Sequence, residues 1–369
     1  MKKNNTILPI ANPVRELSQI DGFNDNFLEE LYKGIYVGGN NVDIFENELK
    51  NFFGTNYVLT TNSGTDSLFL SLSQVPFSKG DEILLPSFTF FATVEAIMHY
   101  GLTPVFVDVD IENFIVDPQS FFDNVSKKTK AFIPVHLFGK SSFNKEVFEY
   151  CKENNITIVE DCAQAFGSAN EEKLLGNLGD FGAFSFFPSK TLGGIGDGGC
   201  IITNNKDTYK NLKKLKNHGQ EIPYIHEFSG INSRLDSLNA YVLFRKLEIF
   251  NKIKSSRLNL YQDLDTKINN EFLQKPVFLK SEIPNYYSLK IKNREHFIKY
   301  MTKQNISTNI YYKVPLHMQP ALINYGYMKK SLSNTELICK SIVSIPFFAF
   351  MNKDEVEYLI EVLNNYKII

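Results

Sequence analysis

The sequence predicts an α/β protein, with a mainly parallel sheet between helices and a smaller C-terminal α+β domain. Three observations predict it. From residue 57 onward, short β-rich runs alternate with helical patterns. Those runs are nearly continuously apolar, as strands buried on both faces are. After Asn232 the alternation gives way to one long helical stretch, which reads as a bridge out of the first domain. At 369 residues the chain exceeds a single typical core, so we expect a large domain over 1–245, opened by an N-terminal helical segment, and a small one over 246–369.

The elements follow in order. YVLTT (57–61) reads as a strand and SLFLSLSQV (67–75) as a helix; EILLP (82–86) as a strand and FFATVEAIMHY (90–100) as a helix. TPVFVDVD (103–110) is the next strand, then AFIPVHLF (131–138) with a helical run to Asn154, then ITIVEDC (156–162). GAFSFF (182–187) and CIITN (200–204) complete a sheet of seven strands. SLNAYVLFRKLEIFNKIKSSRLNLYQDL (237–264) is the bridging helix, and YYSLKIK, ISTNIYY and DEVEYLIEVLNNY suit the small domain.

Composition narrows the function. Hydrophobic residues make up 43% and aromatics 14%, and 39 basic residues nearly cancel 41 acidic ones, so neither a nucleic-acid-binding face nor a disordered acidic tail is indicated. The four cysteines (Cys151, Cys162, Cys200, Cys339) lack CxxC spacing, so buried thiols are expected, without zinc or a disulfide framework. MKKNNTILPIANPV lacks an uninterrupted apolar core, and no span nears the ~20 apolar residues of a membrane helix, so a cytoplasmic location is expected.

Ligands of an open α/β sheet bind outside the carboxyl ends of its strands, so motifs at those ends carry the functional argument. FSFFPSKTLGGIGDGG (184–199) contains Gly194, Gly196 and Gly199 in GxGxxG spacing. A dinucleotide fingerprint needs a strand before it and a helix after it, whereas these glycines follow a Pro-Ser-Lys turn and run into CIITN. GxxxxGK[ST] is absent as well. What remains is Lys190, between aromatics on one side and mobile glycines on the other. Desolvation there would lower its pKa and make it a nucleophile for an aldehyde; a solvated surface charge is the alternative.

A Schiff-base lysine calls for pyridoxal phosphate, hence for an acid facing the pyridinium nitrogen and a phosphate cradle. Asp161 ends an apolar strand, with a helix N-cap as its other reading. Asn62-Ser63-Gly64-Thr65 turns from strand to helix, where free amides and a hydroxyl can hold a phosphate or simply cap the helix.

The blocks TNSGTDSL, LLPSFTFFATVEAI, PVFVDVD, IPVHLFG, VEDCAQAFGS, GDFGAFSFFPSKTLGGIGDGG and GINSRLDSLNA together resemble the DegT/StrS-type sugar-nucleotide aminotransferases. These are fold type I pyridoxal-phosphate enzymes of the aspartate aminotransferase superfamily. The resemblance runs over about residues 35 to 350 in the same block order and extends into VPLHMQPA and SIPFFAF.

It implies that Lys190 carries the cofactor and shuttles a proton, that Asp161 pairs with the pyridine nitrogen, and that Gln164 bonds the phenolic oxygen. Gly64, Thr65 and Ser185 would bind the phosphate, and Phe90 would stack on the ring, core packing being its alternative. Asn232 and Arg234 match a loop that enters the neighbouring subunit's site of a homodimer, the asparagine at the phosphate and the arginine at the donor carboxylate. The chain has only five arginines, and a planar bidentate site is where lysine does not substitute; a structural salt bridge is the alternative for Arg234. His218 and His317 are candidate substrate contacts, and a core position is the alternative for His317 and the reading for His136.

The implied reaction moves an amino group from glutamate onto a nucleotide-linked keto-sugar. The run Gly196-Asp197-Gly198-Gly199, with FFPSK and the HGQ to NSRLD spacing, resembles members acting at C-3 more than the GEGG-like form of C-4 enzymes; ordinary turn chemistry also explains the aspartate. The substrate expected is a dTDP-3-keto-6-deoxyhexose, with a UDP-linked 3-keto-N-acetylated sugar next. The dehydratase branch typically carries histidine at the Lys190 position, and the retained lysine, aspartate and Asn-x-Arg set argues against a sensor protein that keeps only the fold.

Overall fold

The computed structural model describes residues 7–171, 173–327 and 331–367. Seven strands form the main sheet: β1 (Tyr57–Thr61), β2 (Glu82–Pro86), β3 (Thr103–Val107), β4 (Thr129–Phe132), β5 (Thr157–Asp161), β6 (Phe181–Ser185) and β7 (Gly199–Thr203). Their spatial order is β1-β7-β6-β5-β4-β2-β3. Only β7 runs against its neighbours, pairing antiparallel with β1 and β6. β4 stops at Phe132, earlier than the apolar run to Phe138 predicts, and is followed by Ile133-Pro134, whose proline lacks a ladder donor.

Helices cover both faces, with Leu59, Ile83, Val94, Phe106 and Ile201 in one core layer and Phe45, Phe166, Phe184, Phe186 and Leu243 in the other. Each such side chain, removed from water, contributes roughly 1.5–3 kcal/mol. The expected bridge over 237–264 is two helices, Ser237–Glu248 and Phe250–Lys267, broken where Ile249 leaves helical geometry (φ −99°, ψ 11°). That break lets the second helix turn onto a separate core built from Leu260, Leu289, Phe297, Val343 and Leu359.

This second core holds a two-stranded sheet, Tyr287–Lys290 with Ile342–Ile345, and the helix Lys353–Asn365. ISTNIYY forms only isolated bridges, through Ile306 and Asn309. Leu8, from the other end of the chain, also packs into this core. All four cysteines are free and buried. Among the described residues no helix is long and apolar enough to cross a membrane.

Candidate active site

β1, β5 and β6 end at the same carboxyl edge, so the turns that follow them converge. After β1, Ser63 caps the helix Gly64–Leu72 by accepting from the Asp66 amide at 3.1 Å, while the Gly64 and Thr65 amides, first in the helix, have no intrahelical acceptor. A Cβ on Gly64 would lie 2.7 Å from Cβ of Ser185, so only glycine lets the turn after β1 close against the end of β6. Gly64, Thr65 and Ser185 thus share one concave edge, a geometry suited to an anion.

Two acids in sequence at the end of β5 have opposite fates because successive strand residues face opposite sides. Glu160, fully buried, accepts amide hydrogens from Gly176, Leu178 and Gly179 at 2.7–2.8 Å and pairs with His136 Nε2 at 2.9 Å. His136 Nδ1 accepts from the Ser142 amide, so Nε2 carries the proton. His136 is therefore a core histidine. With Cys162 these two residues form a cluster of ligand types within 4.8 Å, but protein donors already occupy Glu160 and His136.

Asp161 faces the other way. Its carboxylate accepts from the Thr93 hydroxyl at 2.8 Å and the Ala163 amide at 3.1 Å, and it has no ion pair among the described residues. Burial pushes its carboxyl up; the hydrogen bonds from Thr93 and Ala163 and the charge of Lys190 pull it down. A buried carboxylate without a paired cation fits a protonated ring nitrogen. An N-cap role does not describe it, since no helix begins there.

Lys190 follows β6 in a turn closed by its amide on the Phe187 carbonyl at 2.8 Å. Burial lowers its amine from the ordinary 10.5 to about 8, with Asp161 opposing the shift. Lys190 is half-buried as a residue, within electrostatic reach of the strand-end acid.

The glycines after Lys190 do not supply mobility. A Cβ on Gly193 would meet the Pro188 carbonyl at 2.4 Å, one on Gly194 the Asn239 side chain at 2.1 Å and one on Gly199 the Ser63 carbonyl at 2.5 Å. Asn239 also accepts from the Ile195 amide and donates to the Asp197 carbonyl. The loop is fixed by close approach.

Phe90 is 58% exposed, which rules out core packing and leaves a ring face open; its nearest aromatic partner is Tyr312, at 6.0 Å between centroids. Gln164 accepts from the Phe138 amide at 2.9 Å and donates to the Tyr312 hydroxyl at 2.8 Å. In GINSRLD, Ser233 turns inward, accepting from the Asn62 amide and donating to Asp66 at 2.6 Å. Asn232 and Arg234 flank it, exposed and bonded to each other at 2.6 Å, and Arg234 makes no structural salt bridge among the described residues.

The two candidate substrate histidines sit in contrasting surroundings. His317 is fully buried, bonded through Nδ1 to Ser87 at 2.6 Å and within 3.4 Å of Glu336, which matches the core alternative for it. His218 is exposed at positive φ, its ring edge-on to His226 at 6.5 Å. Sequence reasoning missed Thr93 and Tyr312. Thr89 and Thr93, bonded to each other at 3.1 Å, stand four residues apart in an apolar segment, a legible sign of a polar stripe turned to the sheet; Tyr312 left no such sign.

Fold and cleft together define a fold type I transferase. The chain belongs to the DegT/DnrJ/EryC1/StrS aminotransferase family, whose model matches residues 19–364. It is 35% identical over 338 residues to the dTDP-3-amino-3,6-dideoxy-alpha-D-galactopyranose transaminase of Aneurinibacillus thermoaerophilus, covering 91% of this chain and 93% of that one. It is 32% identical over 337 residues to the UDP-2-acetamido-2-deoxy-3-oxo-D-glucuronate aminotransferase of Pseudomonas aeruginosa, covering 91% and 93%. The structure superposes on DesV of S. venezuelae in complex with a ketimine intermediate with a TM-score of 0.92 and 27% identity, covering 98% of both chains.

Proposed function

We propose that the protein transfers an amino group from glutamate to C-3 of a dTDP-3-keto-6-deoxyhexose, giving a dTDP-3-amino-3,6-dideoxyhexose for a surface polysaccharide such as an O-antigen lipopolysaccharide. The observation that carries the reading is the placement of Lys190, Asp161 and the Gly64–Ser185 edge at one sheet end, in a sugar-nucleotide aminotransferase chain.

The cofactor is pyridoxal phosphate, which when bound supplies the electron sink for ionising a Cα–H bond. Gly64, Thr65 and Ser185 would hold its phosphate, Phe90 its ring and Gln164 its phenolic oxygen. Asp161 would keep the ring nitrogen protonated. Lys190 Nζ takes the proton from the donor carbon and returns one to the acceptor carbon, and its depressed pKa suits both directions near neutrality.

We further propose a cytoplasmic homodimer in which Asn232 and Arg234 complete the partner's site. Their outward aim supports this, as do exposed Ile35, Tyr36 and Val37, which adjoin the same loop through the Val37–Asp236 bridge. We keep residues 1–245 and 246–369 as the functional division into cofactor-binding and small domains. The relative from P. aeruginosa favours a UDP-linked 3-keto-N-acetylated sugar as a second reading.

The experiment supplies 3-keto and 4-keto dTDP-6-deoxyhexoses separately, with glutamate, and locates the new C–N bond by NMR. Amination of the 3-keto compound is expected; efficient amination of only the 4-keto compound overturns C-3 chemistry.

A further inference from the structure

We propose that Glu16 acts as a positioning residue for Lys190, by neutralising two buried cations, Lys246 and Arg257, that hold the chain immediately after the active-site lysine. The proposal rests on the reading of Lys190 given above.

All three side chains are buried, at 3%, 1% and 3% exposure. Lys246 contacts the Glu16 carboxylate directly and donates to the Gly193 carbonyl at 2.5 Å. Arg257 lies 3.9 Å from the same carboxylate and reaches the carbonyls of Pro284 and Asn285 at 3.4 Å. Asn285 in turn accepts from the Thr191 hydroxyl at 3.1 Å. Two branches thus leave one carboxylate and end one and three residues beyond Lys190.

Glu16 itself is held by the chain that precedes it. The preceding Arg15 pairs with Glu355 at 2.6 Å and donates to the Phe350 carbonyl at 3.2 Å. Further back, Leu8 exchanges backbone hydrogen bonds with Asn305 and Ser307. Residues 8–16 therefore form a strap that crosses the small domain before it reaches the loop of the large one.

The cluster is better explained by positioning than by stability. Buried ion pairs are often replaceable by apolar residues of similar volume without loss of stability, so retaining three charges here calls for another role. The role visible in the structure is to fix the Thr191 hydroxyl and the Gly193 carbonyl beside Lys190. Charge balance also ranks Glu16 above Lys246: without Lys246, Glu16 still faces Arg257, whereas without Glu16 two cations share a dry interior.

The test compares Lys246→Met, Lys246→Arg and Glu16→Gln in the full chain. In the cofactor-free protein, Lys246→Met is expected to speed amide hydrogen exchange at least tenfold within 191–199, with exchange in β2 unchanged, and Lys246→Arg to restore it. In the cofactor-loaded protein, the glutamate half-reaction should slow roughly 10- to 100-fold at unchanged glutamate KM, the scale of a small misplacement of a reacting group. Glu16→Gln should loosen the same loop and lower the thermal midpoint more than Lys246→Met. If Glu16→Gln does not fold, Lys246→Met decides alone. A lowered midpoint with wild-type exchange over 191–199 and a wild-type half-reaction overturns the proposal, as does acceleration spread evenly over the chain. Failure of the Lys190 reading shows separately, as an aldimine band and normal turnover retained in Lys190→Ala.

Discussion

The hydroxyl of Thr93 donates to the carboxylate of Asp161 at 2.8 Å, and Thr89 completes a hydroxyl chain at 3.1 Å that begins beside Phe90. A hydrogen bond to a buried charge is worth about 1.5–3 kcal/mol, so Thr93→Val should weaken pyridoxal phosphate binding by about tenfold or more. Equilibrium titration of the visible absorbance measures it. Thr93→Ser, which keeps the hydroxyl, should stay near wild type.

Lys190→Ala should abolish the aldimine band of the purified protein and its turnover with glutamate. Proton transfer alone is worth roughly 10²- to 10⁴-fold, so the loss lies well outside assay error. A variant that transaminates at a normal rate would remove Lys190 from the mechanism.

The depressed amine of Lys190 has a definite pH signature. Its folded pKa, about 8, lies below the ordinary 10.5, so between those values the unfolded chain binds more protons and stability rises with pH. The cofactor-free protein should therefore gain stability relative to Lys190→Met as pH climbs from 8 to 10. Urea unfolding at several pH values measures the difference, and a flat difference would contradict the shift. The rate of cofactor uptake, which needs the neutral amine, should rise with a midpoint near 8 as well.

Mixing inactive Lys190→Ala with inactive Arg234→Ala should restore activity if sites are shared, since a heterodimer then carries one intact site. Arg234 is exposed on its own subunit, bonded only to Asn232 among the described residues. No recovery despite demonstrated subunit exchange would place Arg234 in its own chain's site.

What the sequence revealed and what it hid divide along a physical line. Lys190, Asp161 and Gly64 were legible because each ends or follows an apolar strand, and a parallel sheet gathers such ends at one edge. Phe90 was ambiguous, since an aromatic in an apolar run fits a core or a cleft equally well until its 58% exposure is known. His317 was ambiguous as well, because its block suggests the cleft while its partners Ser87 and Glu336 arrive from distant segments. The Glu16, Lys246 and Arg257 cluster joins three segments whose separation no local pattern encodes. The break at Ile249 was equally hidden, because both flanking helices share one continuous periodicity.

The crowding of the loop after Lys190 has a further consequence, for how the family's chemistry can diversify. Gly193, Gly194, Gly198 and Gly199 all lack room for a methyl group, whereas around Gly196 nothing lies within 4 Å and its neighbours Ile195 and Asp197 are exposed. Mutational tolerance in this stretch is thus confined to three residues at its tip. A substitution there can present a new side chain to an incoming ligand without disturbing the lysine, so selection can retune what is recognised while the amine stays where it is. Saturation mutagenesis of 193–199 should return a sharply bimodal map, permissive at 195–197 and nearly monomorphic on either side.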